Sequence, residues 1–173
     1  MIIVFSIIGA VIVALSAVLT AAAIMGRPLK VNPSRKLDGV SDDIQNALWY
    51  SSIAANSHNT QMWSVKLYPN ENRLQISIDE SRVLGVVDSE KREAYISLGC
   101  YVETMSVAFS AYGYDTQINC NDLSVQVAYQ KRENATVDTV KLSLIDKRHT
   151  DKSAYSNGKI KQETATALLS KYS

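Results

Sequence analysis

Residues 89–113, SEKREAYISLGCYVETMSVAFSAYG, carry the strongest helical pattern in the chain and determine how the rest of it is expected to pack. Apolar side chains recur there at steps of three and four, which is the spacing of one helix face, and Gly113 is a typical stop residue. A stripe of this kind is usually part of a core, so we expect a sheet to pack on this helix. The stripe consists of Tyr95, Leu98, Val102, Met105, Phe109 and Tyr112.

Alternating apolar and polar residues on both sides of this helix predict β-strands. Before it, two alternating runs flank a turn at residues 69–72, which is the pattern of a β-hairpin. After it, strands are expected around Ile118 and over residues 123–129, followed by a charged turn at residues 130–134. The apolar positions of the hairpin are Trp63, Val65, Leu67, Leu74, Ile76 and Ile78, and the pattern after the charged turn continues at Val140, Leu142 and Leu144.

A further helix is predicted before the hairpin. Ser41 is a suitable N-cap, Asp42 and Asp43 favour the positive end of the helix dipole, and the helical pattern ends near Ala54. Together these elements predict an α+β fold, in which an antiparallel sheet packs against helices.

Composition excludes several functional classes. The chain has 173 residues and a formal net charge of +1, and no basic cluster is interleaved with aromatic residues, so nucleic acid is not an expected partner. Cys100 and Cys120 form no CxxC motif and have no histidine cluster nearby, so we predict unpaired, buried thiols and no metal site.

The N-terminal segment is uncharged and almost wholly apolar from Ile2 to Met25. At about 1.5 Å per residue this run is long enough to cross a bilayer, so we predict a transmembrane anchor over residues 1–26 and a linker over residues 27–40. A cleaved secretory signal is the alternative, with the small residues 21–23 near the cleavage site. Basic residues follow the run and none precedes it, which predicts a single-pass membrane protein whose soluble part is cytoplasmic. These residues are Arg27, Lys30, Arg35 and Lys36.

The connection between the first helix and the hairpin, residues 54–63 or AANSHNTQMW, is rich in amide and small side chains. Such a loop suits a planar heteroaromatic ligand with both donors and acceptors, such as a flavin, although an ordinary Asn/Ser-rich connection has the same composition. The loop resembles the A-P-S-G-H-N-x-Q-P-W element of the nitroreductase family of FMN proteins. It shares His58, Asn59, Gln61 and Trp63 with that element and departs from it at Ala55, Asn56, Ser57 and Met62.

The resemblance extends over about residues 41–114 and is to the single-chain, tandem-repeat (pseudo-dimeric) branch of that family. It rests on Asp79, Arg82, Leu84, Asp88, Arg92, Glu93 and residues 96–100. It implies a first nitroreductase-like repeat over residues 41–145 and the start of a second, truncated repeat over residues 146–173. On that basis we expect the sequence to be a piece of a protein nearly twice as long.

The second segment of interest is residues 147–152, KRHTDK. Its charges and hydroxyl suit phosphate oxygens, although a solvated charge run in a loop would read the same way. It resembles the R-[RH]-[ST]-x-[RK] element with which nitroreductases bind the FMN phosphate and ribityl chain. The matching residues are Arg148, His149, Thr150 and Lys152.

These resemblances imply an FMN-dependent oxidoreductase that passes hydride from NAD(P)H to flavin and electrons on to a nitroaromatic or quinone-like acceptor. His58 is a candidate proton donor, and the missing second repeat or a partner chain would complete the site. Two alternatives stay open: a protein that holds flavin without turnover, and a membrane-tethered interaction domain. The predicted cofactor-binding residues are Asn56, Ser57, His58, Asn59, Gln61, Arg148, His149, Thr150 and Lys152.

Overall fold

A computed structural model describes residues 11–21, 36–121, 124–151, 153–154 and 158–170. Its helices, apart from a helical stretch at residues 11–21, are α1 (Asp42–Ser51), α2 (Arg92–Ala111), α3 (Thr139–Lys147) and α4 (Gln162–Ser170). Its strands are β1 (Trp63–Tyr68), β2 (Arg73–Ile78), β3 (Tyr114–Cys120) and β4 (Ser124–Lys131).

The four strands form one antiparallel sheet in the order β1-β2-β4-β3. The predicted hairpin is present, with Val65 opposite Ile76, and its turn is closed by Asn72 in the left-handed conformation (φ 46°). Strand β2 also pairs with β4, which places Leu74 opposite Val127 at the centre of the sheet. The predicted α+β arrangement of an antiparallel sheet against helices is therefore present.

Helix α2 packs on one face of the sheet, and α1 and α3 pack on α2. Five of the six stripe residues are buried, including Met105 and Phe109, which have no exposed surface. The prediction is wrong for Tyr95, which is 46% exposed. Tyr95 lies in the first turn of α2, and the buried aromatic of this half of the helix is instead Tyr101, which stacks on Trp63 of β1 with ring centroids 4.7 Å apart.

The segment after the charged turn is a helix rather than a continuation of the alternating pattern. Asp138 caps α3 by accepting hydrogen bonds from the backbone N–H groups of Val140 and Lys141, at 3.1 and 3.0 Å. Because the period is helical, Leu142 and Ile145 are buried while Val140 is 69% exposed. Leu144 is also exposed, so two of the three expected apolar positions face outward.

The structure contradicts the predicted transmembrane helix and, with it, the predicted single-pass membrane location with a cytoplasmic soluble part. Within the described residues, no helix has both the length and the apolar character needed to cross a membrane. Within the predicted anchor, the structure describes residues 11–21, which are helical. The other residues of the predicted anchor lie outside the described residues.

Candidate functional site

The loop between α1 and β1 has an unusual backbone. His58, Asn59 and Gln61 have φ angles of 52°, 54° and 48°, all in the left-handed region. Asparagine tolerates this conformation better than most residues, but each non-glycine residue held in it still costs on the order of 1–3 kcal/mol. Surrounding contacts must therefore hold the loop in this shape.

Two of the predicted cofactor-binding residues brace the loop internally. The side-chain oxygen of Asn56 accepts a hydrogen bond from the backbone N–H of Gln61 at 2.9 Å, and its amide nitrogen donates to the carbonyl of Ala54 at 3.1 Å. The side-chain amide of Gln61 donates to the carbonyl of Ser52 at 3.2 Å. Asn56 thus holds the loop together internally, whereas Gln61 ties it to the end of α1, and the side-chain oxygen of Gln61 makes no hydrogen bond to another described residue.

A third predicted residue, Ser57, points toward helix α2. Its backbone N–H donates to the Ser97 hydroxyl oxygen at 3.0 Å, and its own hydroxyl donates to the Glu93 carboxylate. Ser97 is almost fully buried, at 3% exposure. The side chain that stands where the nitroreductase pattern has glycine is therefore turned away from the outer surface of the loop.

His58 and Asn59 form the outer apex of the loop. Both are exposed, and neither side chain makes a hydrogen bond to another residue in the described part of the chain. Of the loop residues predicted to bind a cofactor, these two have side chains wholly available to a ligand.

The far end of the loop is attached to the connection between β2 and α2. The backbone N–H of Asp79 donates to the carbonyl of Met62 at 2.6 Å, and Arg82 donates to the carbonyl of Gln61 at 3.3 Å. Asp79 in turn accepts hydrogen bonds from the hydroxyl and backbone N–H of Ser81, which hold the pKa of its carboxyl below the usual value. Asp79 and Arg82 thus fix the entry of the loop into β1.

Arg148 lies beside the base of this loop. It follows α3 directly, and its backbone N–H bonds to the carbonyls of Leu144 and Ile145, which fixes its place at the helix end. Its guanidinium donates to the carbonyl of Ile53 at 3.2 Å, across 95 positions in the sequence. The fold therefore brings one residue of the second predicted segment next to the first.

The other residues of the second segment make fewer contacts. Nδ1 of His149 lies 3.0 Å from the carbonyl oxygen of Lys147, so the ring is held against its own segment, and Thr150 is exposed. The predicted ligand Lys152 lies outside the described residues.

An open depression of about 420 Å³ lies between Arg148 and the exposed side of α2. A side-chain carbon at Gly99 would meet no other atom within 4 Å, so a ligand can approach the helix backbone there. Mostly apolar surface lines the depression, with Glu103 and Arg148 as its charged residues. The lining residues are Ala55, Ile96, Gly99, Cys100, Glu103, Thr104 and Arg148.

Glu93 and Ser97 were not among the predicted site residues. Their separation of four residues puts both on one face of a helix, and this spacing is visible in the sequence. The sequence does not show which loop they contact, because Ser57 precedes Glu93 by 36 positions and Ser97 by 40.

Comparison with known proteins shows a partial similarity. A stretch of 77 residues is 34% identical to part of a protein described as a probable NAD(P)H nitroreductase, PigM, from Serratia sp.. The matched stretch covers 44% of this chain and 21% of the Serratia protein. The chain therefore spans only about a fifth of the length of that protein. No protein-family model matches the chain.

Proposed function

We propose that this chain contributes an FMN site to an NAD(P)H-dependent oxidoreductase of nitroreductase type. The observation that carries the proposal is the hydrogen bond between Arg148 and the carbonyl of Ile53. It brings the cation best suited to a phosphate to the base of the loop that carries His58 and Asn59. Similarity to part of a probable NAD(P)H nitroreductase independently supports the same reaction class.

The residues present fit a flavin nucleotide in three respects. The depression has a volume of about 420 Å³, within the range of about 300–1,000 Å³ typical of ligand sites. Its apolar floor suits a flat ring, and the absence of a side chain at Gly99 allows close approach to the helix. Arg148 is among the lining residues, and its guanidinium suits a phosphate.

Each residue has a distinct part in this proposal. Arg148 and Thr150 bind phosphate oxygens, while His58, Asn59 and the side-chain oxygen of Gln61 offer donors and acceptors to the polar edge of the ring. When bound, a flavin would supply the redox chemistry between NAD(P)H and a nitroaromatic or quinone-like acceptor. The protein's contribution is to bind the flavin and to orient it.

We further propose that a second repeat or a partner chain completes the site. The depression is open on its outer side, and ligand sites usually bury 70–90% or more of their ligand. This chain alone is expected to bind FMN weakly, because it contacts one side of the ligand.

A titration tests whether Arg148 binds the phosphate. FMN and riboflavin are added to wild-type and Arg148→Ala protein, and flavin fluorescence reports binding. Loss of a hydrogen bond to a charged group, about 1.5–3 kcal/mol, corresponds to a rise of about tenfold to a hundredfold in the FMN dissociation constant. Riboflavin has no phosphate, so its affinity should barely change.

Lys147→Ala is the matched control, because it removes one positive charge from the neighbouring exposed residue, which does not line the depression. We expect it to leave both affinities near those of wild type. Equal losses for FMN and riboflavin in Arg148→Ala would refute the phosphate contact. So would equal effects of the Arg148 and Lys147 substitutions.

One observation favours a second candidate, a protein that holds flavin without turnover. His58, the candidate proton donor, has no hydrogen-bonding partner among the described residues that would orient its ring, and general acids are usually oriented by a neighbour. Adding NADH or NADPH to flavin-loaded protein under anaerobic conditions separates the two. Rapid bleaching of flavin absorbance supports the oxidoreductase, and persistent colour supports holding.

A further inference from the structure

Ser57 is attached to helix α2 through both of its hydrogen-bond donors. Its backbone N–H donates to Ser97 Oγ at 3.0 Å and its hydroxyl donates to the carboxylate of Glu93. The Ser97 hydroxyl has its own proton committed, since it donates to the backbone carbonyl of Glu93 at 2.7 Å. The three residues therefore form a connected set in which Glu93 takes part with both its side chain and its main chain.

The turn of α2 that carries Glu93 is itself fixed. The two carboxylate oxygens of Asp88 accept from the backbone N–H groups of Glu93 at 3.1 Å and of Ala94 at 2.9 Å. These are N–H groups at the start of a helix that have no partner within the helix, so a carboxylate there stabilises the first turn. Glu93 is thus a fixed point on the 20-residue helix that forms the centre of the core.

The loop needs such a fixed point at this position. Ser57 immediately precedes His58 and Asn59, whose φ angles of 52° and 54° are unfavourable for residues other than glycine. A loop free at Ser57 would relax toward commoner backbone angles and turn these two side chains elsewhere. The attachment to Glu93 opposes that relaxation.

We propose that Glu93 is a positioning residue for the ligand-binding loop: by holding Ser57 it keeps the His58-Asn59 apex in its left-handed conformation before any ligand binds. The inference rests on the proposed function for the identity of the ligand. Glu93 contacts no ligand itself and acts through Ser57. Preforming the apex removes the entropic cost of ordering it on binding and so increases affinity.

Amide hydrogen exchange of the ligand-free chain, combined with FMN titration, tests the proposal. Glu93→Ala should speed exchange in residues 54–62 about tenfold and raise the FMN dissociation constant by about the same factor, as expected for loss of a hydrogen bond to a charged group. Exchange in β2 and β4 should stay at the wild-type rate, because those strands lie in the core and do not depend on the loop. A purely structural role for Glu93 would speed exchange there as well.

Three further variants sharpen the test. Glu93→Gln keeps an oxygen that accepts from Ser57 and should restore most of the loop protection and affinity. Ser57→Ala should reproduce Glu93→Ala, and combining the two should add little, because both remove the same bond. Glu90→Ala removes an exposed carboxylate three residues before Glu93 and should behave as wild type.

Several results would overturn the proposal. These are unchanged loop exchange in Glu93→Ala, additive effects of the Ser57 and Glu93 substitutions, or a Glu93→Gln variant as defective as Glu93→Ala. If wild-type protein bound no FMN, the proposed function would fail, yet the exchange data on the ligand-free chain would still support or overturn the positioning role.

Discussion

Replacing Met105 with alanine tests whether α2 is the centre of the core. Met105 has no exposed surface and lies on the face of α2 that packs against the sheet. The substitution removes the Cγ, Sδ and Cε atoms; a buried methylene is worth roughly 0.8 kcal/mol of transfer free energy, and the cavity that is left adds to the loss. We therefore expect the free energy of unfolding to fall by about 2–5 kcal/mol, a large part of the roughly 5–15 kcal/mol typical of a domain.

Urea denaturation followed by tryptophan fluorescence measures this loss, provided that the slope with denaturant is the same for both proteins. Ile96→Ala is the matched control, because it truncates an aliphatic residue of the same helix that is 52% exposed. That substitution should cost less than about 1 kcal/mol. A loss for Met105→Ala below about 1 kcal/mol, or no larger than that for Ile96→Ala, would refute the placement of this helix face in the core.

Two other predictions concern pH and helix capping. Burial raises the pKa of Tyr101, so its contribution to stability is fully present below about pH 10 and is lost as the pH rises toward its folded-state pKa. Tyr101→Phe should therefore reduce the alkaline loss of unfolding free energy by up to about 1.4 kcal/mol per pH unit, measured by urea denaturation between about pH 9 and pH 11. An unchanged dependence of stability on pH would contradict this. Asp138→Ala should lower the free energy of unfolding by about 0.5–2 kcal/mol because it uncaps α3, and it should speed amide exchange at Leu142 and Ile145. Asp138→Asn should retain most of the cap. Equal effects of the two substitutions would argue against capping.

Local patterns predicted much of the fold. The hairpin β1-β2 and helix α2 were visible in the sequence because alternation and helical spacing depend on near neighbours. Where the pattern was ambiguous, a single capping residue was decisive: Asp138 starts a helix in a segment whose residues Val140, Leu142 and Leu144 also fit strand alternation. Reading that cap would have predicted α3.

The error at Tyr95 has a different cause. Tyr95 and Tyr101 both lie on α2, and the apolar spacing alone placed the first of them in the core. Which one is buried depends on where the sheet ends relative to the helix. In the structure, Tyr101 stacks on Trp63 of β1 and is therefore the buried one. The sequence pattern does not show at which residue of α2 the contact with the sheet begins.

The sequence predicts which residues form a candidate site but not how their side chains are oriented. The loop and Arg148 were recognisable from their motifs, yet their approach depends on a contact between residues 53 and 148. Likewise, the inward orientation of Asn56, Ser57 and Gln61 depends on their hydrogen-bonding partners, two of which lie on α2. Orientation of this kind follows from tertiary packing.

The departures from the nitroreductase pattern have a common physical interpretation. Prolines restrict φ and glycine permits left-handed angles, so the family element encodes its loop shape in the backbone. Here Asn56 and Ser57 stand at two of the changed positions, and both form hydrogen bonds that fix the loop, one internally and one to Glu93. Because each such bond contributes about 0.5–3 kcal/mol, comparable to the cost of about 1–3 kcal/mol for one left-handed residue, no single bond suffices to hold His58, Asn59 and Gln61 in place. The loop shape in this chain therefore depends on several side chains acting together, which is why the substitutions at Ser57 and Glu93 are expected to affect the apex without touching it.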